Sequence, residues 1–195
     1  MSSWTLLVLL VAGYLLGGFS AGFWLVRWRT GGDVRFQGSG STGATNVGRV
    51  LGSGGFAAAL LLDAAKGALV AGCARWLDVS AAWAFGVGLA VIVGHVWPIQ
   101  LGFRGGKGVA PMLGAWLVLA PLALAPCLLA AVVALAGLRR WVIAGLCGLA
   151  VLPVSTWWVT GDTMAGIFGG AVLAILLHTH RAHLRRWLHP QTTAS

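Results

Sequence analysis

The sequence contains no glutamate, and its four aspartates stand against thirteen lysines and arginines. With Asp33, Asp63, Asp78 and Asp162 as the only acids, a Ser-His-Asp triad finds little support. Cysteine is also scarce: the three cysteines are an odd number and lie far apart in apolar sequence. The chain therefore has neither a disulfide framework nor a CxxC metal site.

Apolar residues make up 58% of the chain, charged residues only 9%, and the mean hydropathy is +0.89. This composition predicts an integral membrane protein. The formal charge of +9 would suit nucleic acid, but the cations lie between apolar runs. Their placement favours membrane lipid headgroups or phosphorylated substrates as partners. We do not expect the protein to bind nucleic acid.

Five apolar runs cover residues 4–26, 51–74, 79–101, 109–138 and 141–178. The last two would form helices of about 45 and 57 Å, which exceed a hydrocarbon core of about 30 Å. We therefore predict a break near Pro121 or Pro126 and another near Gly161 and Asp162. The prediction is an all-α integral membrane protein, a seven-transmembrane-helix bundle in one polytopic domain over residues 1–195.

The distribution of cations predicts an extracytoplasmic N-terminus and a cytoplasmic C-terminus. Six spans would divide the loop cations six against six, and five spans would need a 38-residue helix. Seven spans leave only Arg75 outside, in agreement with the positive-inside rule. The eleven cations then inside are Arg27, Arg29, Arg35, Arg49, Arg104, Lys107, Arg139, Arg140, Arg181, Arg185 and Arg186.

The first polar segment contains GSGSTGATNVGR at residues 38–49. Gly38, Gly40 and Gly43 satisfy GxGxxG, but no βαβ unit can follow in a membrane span, and Ala44 stands where a Walker A motif needs lysine. Backbone N–H groups and hydroxyls of such a segment can still cradle a phosphate. A flexible turn is the alternative, and a set of four side chains favours phosphate binding: Ser39, Thr45, Asn46 and Arg49.

The second polar segment is GHVWP at 94–98 followed by FRGGKG at 103–108. Gly105 and Gly106 allow close backbone approach to a ligand, and Arg104 and Lys107 add positive charge at the membrane surface. A positive-inside anchor with a turn is the alternative, but it does not need the glycines. His95, taken alone, could also be an interfacial histidine beside a helix end.

The third polar segment is HTHRAHLRR at 178–186. His180 and His183 are spaced i, i+3 on one helix face, but arginine neighbours and the lack of a nearby carboxylate argue against a metal site. An arginine-flanked histidine can donate to a phosphoryl oxygen or exchange a proton near neutral pH. A basic tail attracted to lipid headgroups is the alternative.

Asp63 and Lys66 are an acid and a base spaced i, i+3 inside a predicted span. Ionisable groups at membrane depth are usually functional or mutually paired. We favour a structural ion pair over a relay, because no other charge lies within the predicted spans.

On the segments 38–49, 94–108 and 180–188, and on DAAKG at 63–67, the chain resembles the bacterial acyl-phosphate:glycerol-3-phosphate acyltransferases, the PlsY family. The resemblance implies a seven-helix enzyme of the bacterial cell inner membrane whose active site faces the cytoplasm. It implies transfer of a fatty acyl group from acyl phosphate to the 1-hydroxyl of glycerol 3-phosphate. Lysophosphatidic acid and phosphate would be the products, and neither acyl-CoA nor a cofactor would be needed.

By motif position, the resemblance implies phosphate-binding and catalytic roles for Ser39, Arg49, Lys107 and His180, and we add His183 as a catalytic candidate. Residues expected to bind substrate are Gly38, Gly40, Gly43, Thr45, Asn46, His95, Arg104, Gly105, Gly106, Gly108 and Arg181. Four residues depart from the family pattern: Ser41 and His183 where asparagine is usual, Arg104 where lysine is usual, and Pro111 where threonine is common. Ser41, Arg104 and Pro111 lie at the edges of motifs, whereas His183 replaces a site residue.

The proton acceptor stays open between His180, His183 and a substrate phosphate oxygen. Two other functions also stay open. The chain could be a small transporter of anions or phosphorylated metabolites, with the same basic loops forming a vestibule. It could also be an acyltransferase-like protein with an altered substrate, because of His183.

Overall fold

The computed structural model describes residues 3–188, and every regular element in that range is helical. Short 3₁₀ turns at Val34–Phe36, Ile99–Leu101 and Pro121–Ala123 join some of the helices. The α-helices are α1 Ser3–Gly18, α2 Ala21–Thr30, α3 Ala44–Trp76, α4 Ala81–Val96, α5 Val109–Leu119, α6 Leu124–Leu138, α7 Trp141–Leu149, α8 Leu152–Thr160, α9 Thr163–Thr179 and α10 Arg181–Leu188.

Within residues 3–188, five helical stretches are long and apolar enough to cross a membrane, or six if the bent pair α9 and α10 counts as one span. The protein is therefore a multi-pass membrane protein. Helix α5 has only 11 residues. At 1.5 Å per residue it is about 16 Å long, which is short of a full crossing. The predicted total of seven spans stays a prediction.

Both predicted breaks are confirmed. Helix α5 ends at Leu119, ahead of the 3₁₀ turn that begins at Pro121. Helix α8 ends at a left-handed Gly161, and Asp162 caps α9 by accepting hydrogen bonds from the backbone N–H groups of Met164 and Ala165. Asp162 is thus a capping residue, because its carboxylate satisfies N–H groups that have no partner within the helix.

The structure adds an interruption to the first predicted span and corrects the start of the second. The first run is interrupted between Gly18 and Ala21, where Ser20 caps α2, so residues 4–26 form two helical pieces. Helix α3 begins at Ala44, seven residues before the predicted start, with a non-helical Gly52 inside it. The hydropathy pattern missed both, because it registers apolar content and not backbone conformation.

Glycines set the closest helix contacts. A Cβ on Gly17 of α1 would overlap the carbonyl of Val91 on α4, and a Cβ on Gly94 of α4 would overlap the carbonyl of Tyr14 on α1. The pair α3 and α5 repeats this arrangement: Gly67 meets Pro111, and Gly114 meets Ala64. Such contacts drive helix association inside a bilayer, where the hydrophobic effect contributes little between helices.

The helices group into two compact units, one ending at Leu119 and the other beginning at Ala120. In the first, the rings of Phe85 and Trp116 meet edge to face with centroids 5.3 Å apart, and both side chains are buried. In the second, α6 packs on α7 and α8 packs on α9. The single polytopic domain over residues 1–195 stays a prediction.

Candidate active site

The first polar segment is closed by one buried side-chain amide. Asn46, on the first turn of α3 and 1% exposed, accepts a hydrogen bond from the backbone N–H of Ser39 at 2.8 Å. Its Nδ2 donates to the carbonyls of Gln37 and Ser41, each at 2.9 Å, and of Val34 at 3.3 Å. Asn46 therefore fixes the backbone of residues 34–41 from inside.

Glycine is required where this segment turns most sharply. Gly38 and Gly40 have positive φ angles of 56° and 72°, a region that other residues rarely adopt. A Cβ on Gly38 would also overlap the Asn46 side-chain oxygen. Ser39, between the two glycines, is exposed, so the turn presents its hydroxyl outward.

The second polar segment folds back onto the end of α4. The backbone N–H of Gly105 donates to the carbonyl of Val96 at 3.2 Å, and that of Gly106 donates to the carbonyl of His95 at 3.0 Å. These two carbonyls lie at the C-terminus of α4, where the helix itself supplies no donor. A Cβ on Gly105 would overlap the His95 carbonyl, so the approach depends on glycine.

The two segments are joined directly. The backbone N–H of Thr42 donates to the carbonyl of Gly105 at 3.3 Å. A Cβ built on Gly43 would lie 3.9 Å from the backbone nitrogen of Lys107. The Arg104 guanidinium lies over the ring of Phe36, 5.9 Å from its centroid. Segments about 60 residues apart in sequence therefore form one surface.

That surface carries an excess of positive charge. The only acid in residues 27–49 and 102–108 is Asp33, and its carboxylate is bound by the Arg35 guanidinium. This hydrogen bond holds the pKa of Asp33 below its ordinary value. Arg35 also donates to the carbonyl of Leu101 at 2.8 Å, which adds a second bridge between the segments. Arg49 and Arg104 are exposed at the surface that results.

A buried polar cluster lies behind the second segment. His95 is 2% exposed, and a Cβ on Gly106 would overlap its Nε2. Its Nδ1 lies 3.0 Å from Nζ of Lys66, which is itself 2.9 Å from the Asp63 carboxylate. Because an ammonium group only donates, His95 Nδ1 accepts from a protonated Lys66. The His95 ring thus connects an intramembrane ion pair to the backbone at Gly106.

The same ammonium group donates hydrogen bonds to backbone carbonyls at the interruption of the first span. Lys66 Nζ donates to the carbonyls of Gly17 and Phe19, both at 2.8 Å. These are carbonyls that lose their helical partners where α1 ends, and such groups are costly inside a bilayer. Lys66 thereby holds together α1, α3 and α4.

In the second unit, the third segment occupies the end of α9 and most of α10. His180 is 7% exposed, and its Nδ1 donates to the carbonyl of Leu176 at 2.8 Å, so Nε2 is the acceptor of the neutral ring. The rings of His180 and His183 lie 6.1 Å apart, but His180 lies at the bend between α9 and α10 and not on one helix with His183 as predicted. Arg181 is exposed, and its Nη1 donates a hydrogen bond to His178 Nε2 at 2.7 Å.

The family model described as glycerol-3-phosphate acyltransferase matches residues 7–190. The chain belongs to this family.

Curated relatives match almost the whole chain in sequence. Glycerol-3-phosphate acyltransferase 1 of Desulfitobacterium hafniense (strain Y51) is 42% identical over 185 residues, which is 94% of this chain and 91% of that protein. The glycerol-3-phosphate acyltransferase of Anaeromyxobacter sp. (strain Fw109-5) is 43% identical over 185 residues, 92% of this chain and 91% of that protein.

Two solved structures match the fold of almost the whole chain. The crystal structure of PlsY, an integral membrane glycerol 3-phosphate acyltransferase in its glycerol 3-phosphate form, matches with a TM-score of 0.85 and 28% identity. That match covers 96% of this chain and 94% of PlsY. The lysophosphatidic acid form matches with a TM-score of 0.83. The resemblance to the PlsY family is therefore confirmed.

The roles of the individual residues stay predictions, but the structure separates them by position. Ser39, Thr45, Arg49 and Arg104 are exposed on the joined surface, and Lys107 is half-buried beside it. Asn46 and His95 are buried and hold backbone in place, which the sequence did not indicate. The contact between His95 and Lys66 was missed because nothing in the sequence relates residues 29 positions apart.

Proposed function

We propose that this protein transfers a fatty acyl group from acyl phosphate to the 1-hydroxyl of glycerol 3-phosphate, giving lysophosphatidic acid and phosphate. The observation that carries the proposal is the cationic surface formed by residues 31–49 and 102–108, whose glycine turns and arginines suit a phosphate ester. Membership of the family supports it. So do the two PlsY structures, in their glycerol 3-phosphate and lysophosphatidic acid forms.

The chemistry needs neither a triad nor a cofactor. Acyl phosphate is a mixed anhydride, so its phosphate leaves without a strong acid. The glycerol oxygen forms a bond to the acyl carbonyl carbon, the bond from that carbon to the phosphate oxygen breaks, and the hydroxyl proton goes to a base. The protein must chiefly hold two anions together and stabilise the developing oxyanion.

Most of the proposed roles fall on residues of the first unit. Arg49 and Lys107 screen the repulsion between the phosphates, and exposed Ser39 donates to a phosphoryl oxygen. Gly38, Gly40, Gly43, Thr45 and Arg104 line the phosphate-binding surface, and Asn46, His95, Gly105, Gly106 and Gly108 hold its backbone. In the second unit, His180, His183 and Arg181 are proposed to take part in the reaction. Either histidine or a phosphate oxygen would accept the proton.

The proposal includes location and orientation. We infer seven crossings in a bacterial cell inner membrane, with the short α5 as one of them and the N-terminus outside. Two crossings then separate the first polar segment from the second, four separate the second from the third, and eleven loop cations face the cytoplasm. The active site would face the cytoplasm, where glycerol 3-phosphate is present, and membrane lipids would surround the acyl chain.

A two-donor assay tests the proposed function. Purified protein with labelled glycerol 3-phosphate is expected to form lysophosphatidic acid from palmitoyl phosphate and not from palmitoyl-CoA. Within residues 3–188 the polar segments are short stretches between or at the ends of helices, too small to enclose the nucleotide of coenzyme A. Efficient turnover with palmitoyl-CoA alone would contradict the donor assignment. Phosphate flux through reconstituted vesicles, without any acyl product, would favour the transporter.

Gly106→Ala tests how the second segment is held. The added methyl group would overlap the His95 ring, so we expect the backbone beside Lys107 to shift and the KM for glycerol 3-phosphate to rise at least about tenfold. The double variant Gly106→Ala with His95→Ala removes the overlap and should recover part of this loss. Gly72→Ala is the control, because a Cβ there meets nothing within 4 Å.

Equal KM values for Gly106→Ala and the native protein would show that the contact between Gly106 and His95 is unimportant for substrate binding. Failure of the double variant to recover would show that His95 acts through its hydrogen bonds and not only through its volume.

A further inference from the structure

A groove of about 360 Å³ lies between α7 and α10, within the second unit. Its volume is near the lower end of the range of roughly 300–1,000 Å³ typical of small-molecule sites. Three basic side chains line it together with two tryptophans and two aliphatic residues. The lining residues are Arg140, Trp141, Val142, Ile143, His183, Arg186 and Trp187.

One wall of the groove is α10. This helix is bent by 65° from α9, and its apolar residues Leu184, Trp187 and Leu188 alternate with arginines. A short amphipathic helix of this kind lies along a membrane surface. His183, Arg186 and Trp187 are spaced i, i+3 and i, i+4, so one face of α10 presents all three to the groove.

The other wall is the start of α7. Arg139 takes a left-handed conformation, with φ of 53°, at the end of α6, and the chain turns there. Arg140 then precedes α7 and Trp141 begins it, so both lie at the mouth of the groove. Ile143, one residue after Val142, is 5% exposed and forms an apolar floor.

Within residues 120–188, the described part of the second unit, no carboxylate side chain balances these cations. Asp162 is the only acid in the sequence from residue 120 onward. It lies at the opposite end of α9, about 25 Å along the helix, where its carboxylate accepts hydrogen bonds from Met164 and Ala165. The Nε of Arg186 donates to the carbonyl of Ala182 at 3.2 Å, which fixes that guanidinium along α10.

A cationic mouth above an apolar floor is complementary to one chemical class, a phosphate monoester at the end of a single alkyl or acyl chain. Guanidinium groups bind phosphate oxygens through two parallel hydrogen bonds. Tryptophan and aliphatic side chains cover the adjoining methylenes. The small volume suits the head of a single-chain amphiphile better than that of a two-chain phospholipid.

We propose that this groove, with Arg140 and Arg186 at its mouth, captures the phosphate head of the acyl phosphate donor from the membrane. The inference rests on the proposed function and adds a donor-binding site to it. Capture at the surface contributes to donor binding and not to the chemical step. Loss of either arginine therefore raises the donor KM and leaves kcat unchanged.

Direct binding tests the groove without turnover. Hexadecyl phosphate, an unreactive monoester, is titrated calorimetrically into protein in a neutral detergent, with inorganic phosphate as a second probe. Arg140→Gln and Arg186→Gln should each weaken hexadecyl phosphate binding at least about tenfold, because each removes a charge-assisted contact. Arg139→Gln is the matched control: it removes the adjacent charge, but Arg139 does not line the groove. It should bind as the native protein does.

Kinetics provide the second readout. In Arg140→Gln we expect the KM for palmitoyl phosphate to rise at least about tenfold, with the KM for glycerol 3-phosphate and kcat within twofold of native values. Unchanged hexadecyl phosphate binding in both groove variants would overturn the proposal. Equal weakening by Arg139→Gln would also overturn it, because general surface charge would then be the cause.

The remaining outcomes distinguish donor capture from binding of other ligands, and failure of the groove proposal from failure of the proposed reaction. Equal affinity for inorganic phosphate would show an anion site and contradict donor capture. An effect of Arg140→Gln that appears in vesicles of phosphatidylglycerol and vanishes in phosphatidylcholine would identify a bilayer lipid as the ligand. Arginine-dependent binding of hexadecyl phosphate without any acyl transfer would remove the proposed reaction but retain an alkyl phosphate site.

Discussion

Lys107→Ala and Arg49→Ala are each expected to lower kcat/KM for acyl transfer to glycerol 3-phosphate by about 100- to 1,000-fold, the size typical of losing one group that stabilises developing charge. Lys107 follows the Gly105–Gly106 backbone that is fixed on α4. Arg49 lies beside the first glycine turn, its Cδ 3.7 Å from a Cβ built on Gly38. Initial rates with palmitoyl phosphate and labelled glycerol 3-phosphate measure the loss.

Thermal stability separates catalysis from folding in these variants. Arg49 is exposed, so we expect the melting temperature of Arg49→Ala to match that of the native protein within error. Arg29→Ala is the charge-matched control, because Arg29 is exposed at the end of α2 and outside the proposed phosphate-binding surface. Stable Arg49→Ala protein with near-native turnover would show that this arginine is only a topological anchor.

Lys66→Met is expected to destabilise the protein by about 3–5 kcal/mol, as is usual when one partner of a buried ion pair is removed. The change leaves the Asp63 carboxylate, 1% exposed, without its counter-charge. It also removes the donor to the Gly17 and Phe19 carbonyls where the first span is interrupted. Denaturant unfolding in detergent micelles measures the loss.

The matched control removes both charges. Asp63→Leu combined with Lys66→Met leaves no isolated buried charge, so it should be less destabilising than Lys66→Met alone. The two backbone carbonyls would still lack their donor, and part of the loss should therefore persist. A double variant less stable than Lys66→Met would show that packing around Asp63, and not charge, dominates at this position.

Much of the fold could be predicted because bilayer crossing depends on composition. The apolar runs, the break before Pro121 and the break at Gly161 follow from length and from residues with restricted or permissive backbone angles. The interruption at Ser20 could not be predicted this way. Its carbonyls are satisfied by Lys66, a residue 46 positions further along the chain.

The candidate site shows the same division. Its motifs could be read from the sequence, because Gly38, Gly40 and Lys107 belong to local patterns. The sequence could not show which of those residues hold backbone and which face outward. Asn46 and Thr45 are neighbours in one motif, yet Asn46 is buried with four hydrogen bonds and Thr45 is exposed.

The sequence by itself determined the membrane class, the polar segments and the family resemblance, because hydropathy, charge and motif spacing are properties of consecutive residues. Only the tertiary structure decided that the His95 ring lies behind Gly106, that Lys66 connects three helices, and that Arg140 and Arg186 line one groove. These contacts join residues far apart in the chain. Those of His95 and Lys66 form because glycine-mediated packing brings helices close enough for one buried donor to satisfy carbonyls on another.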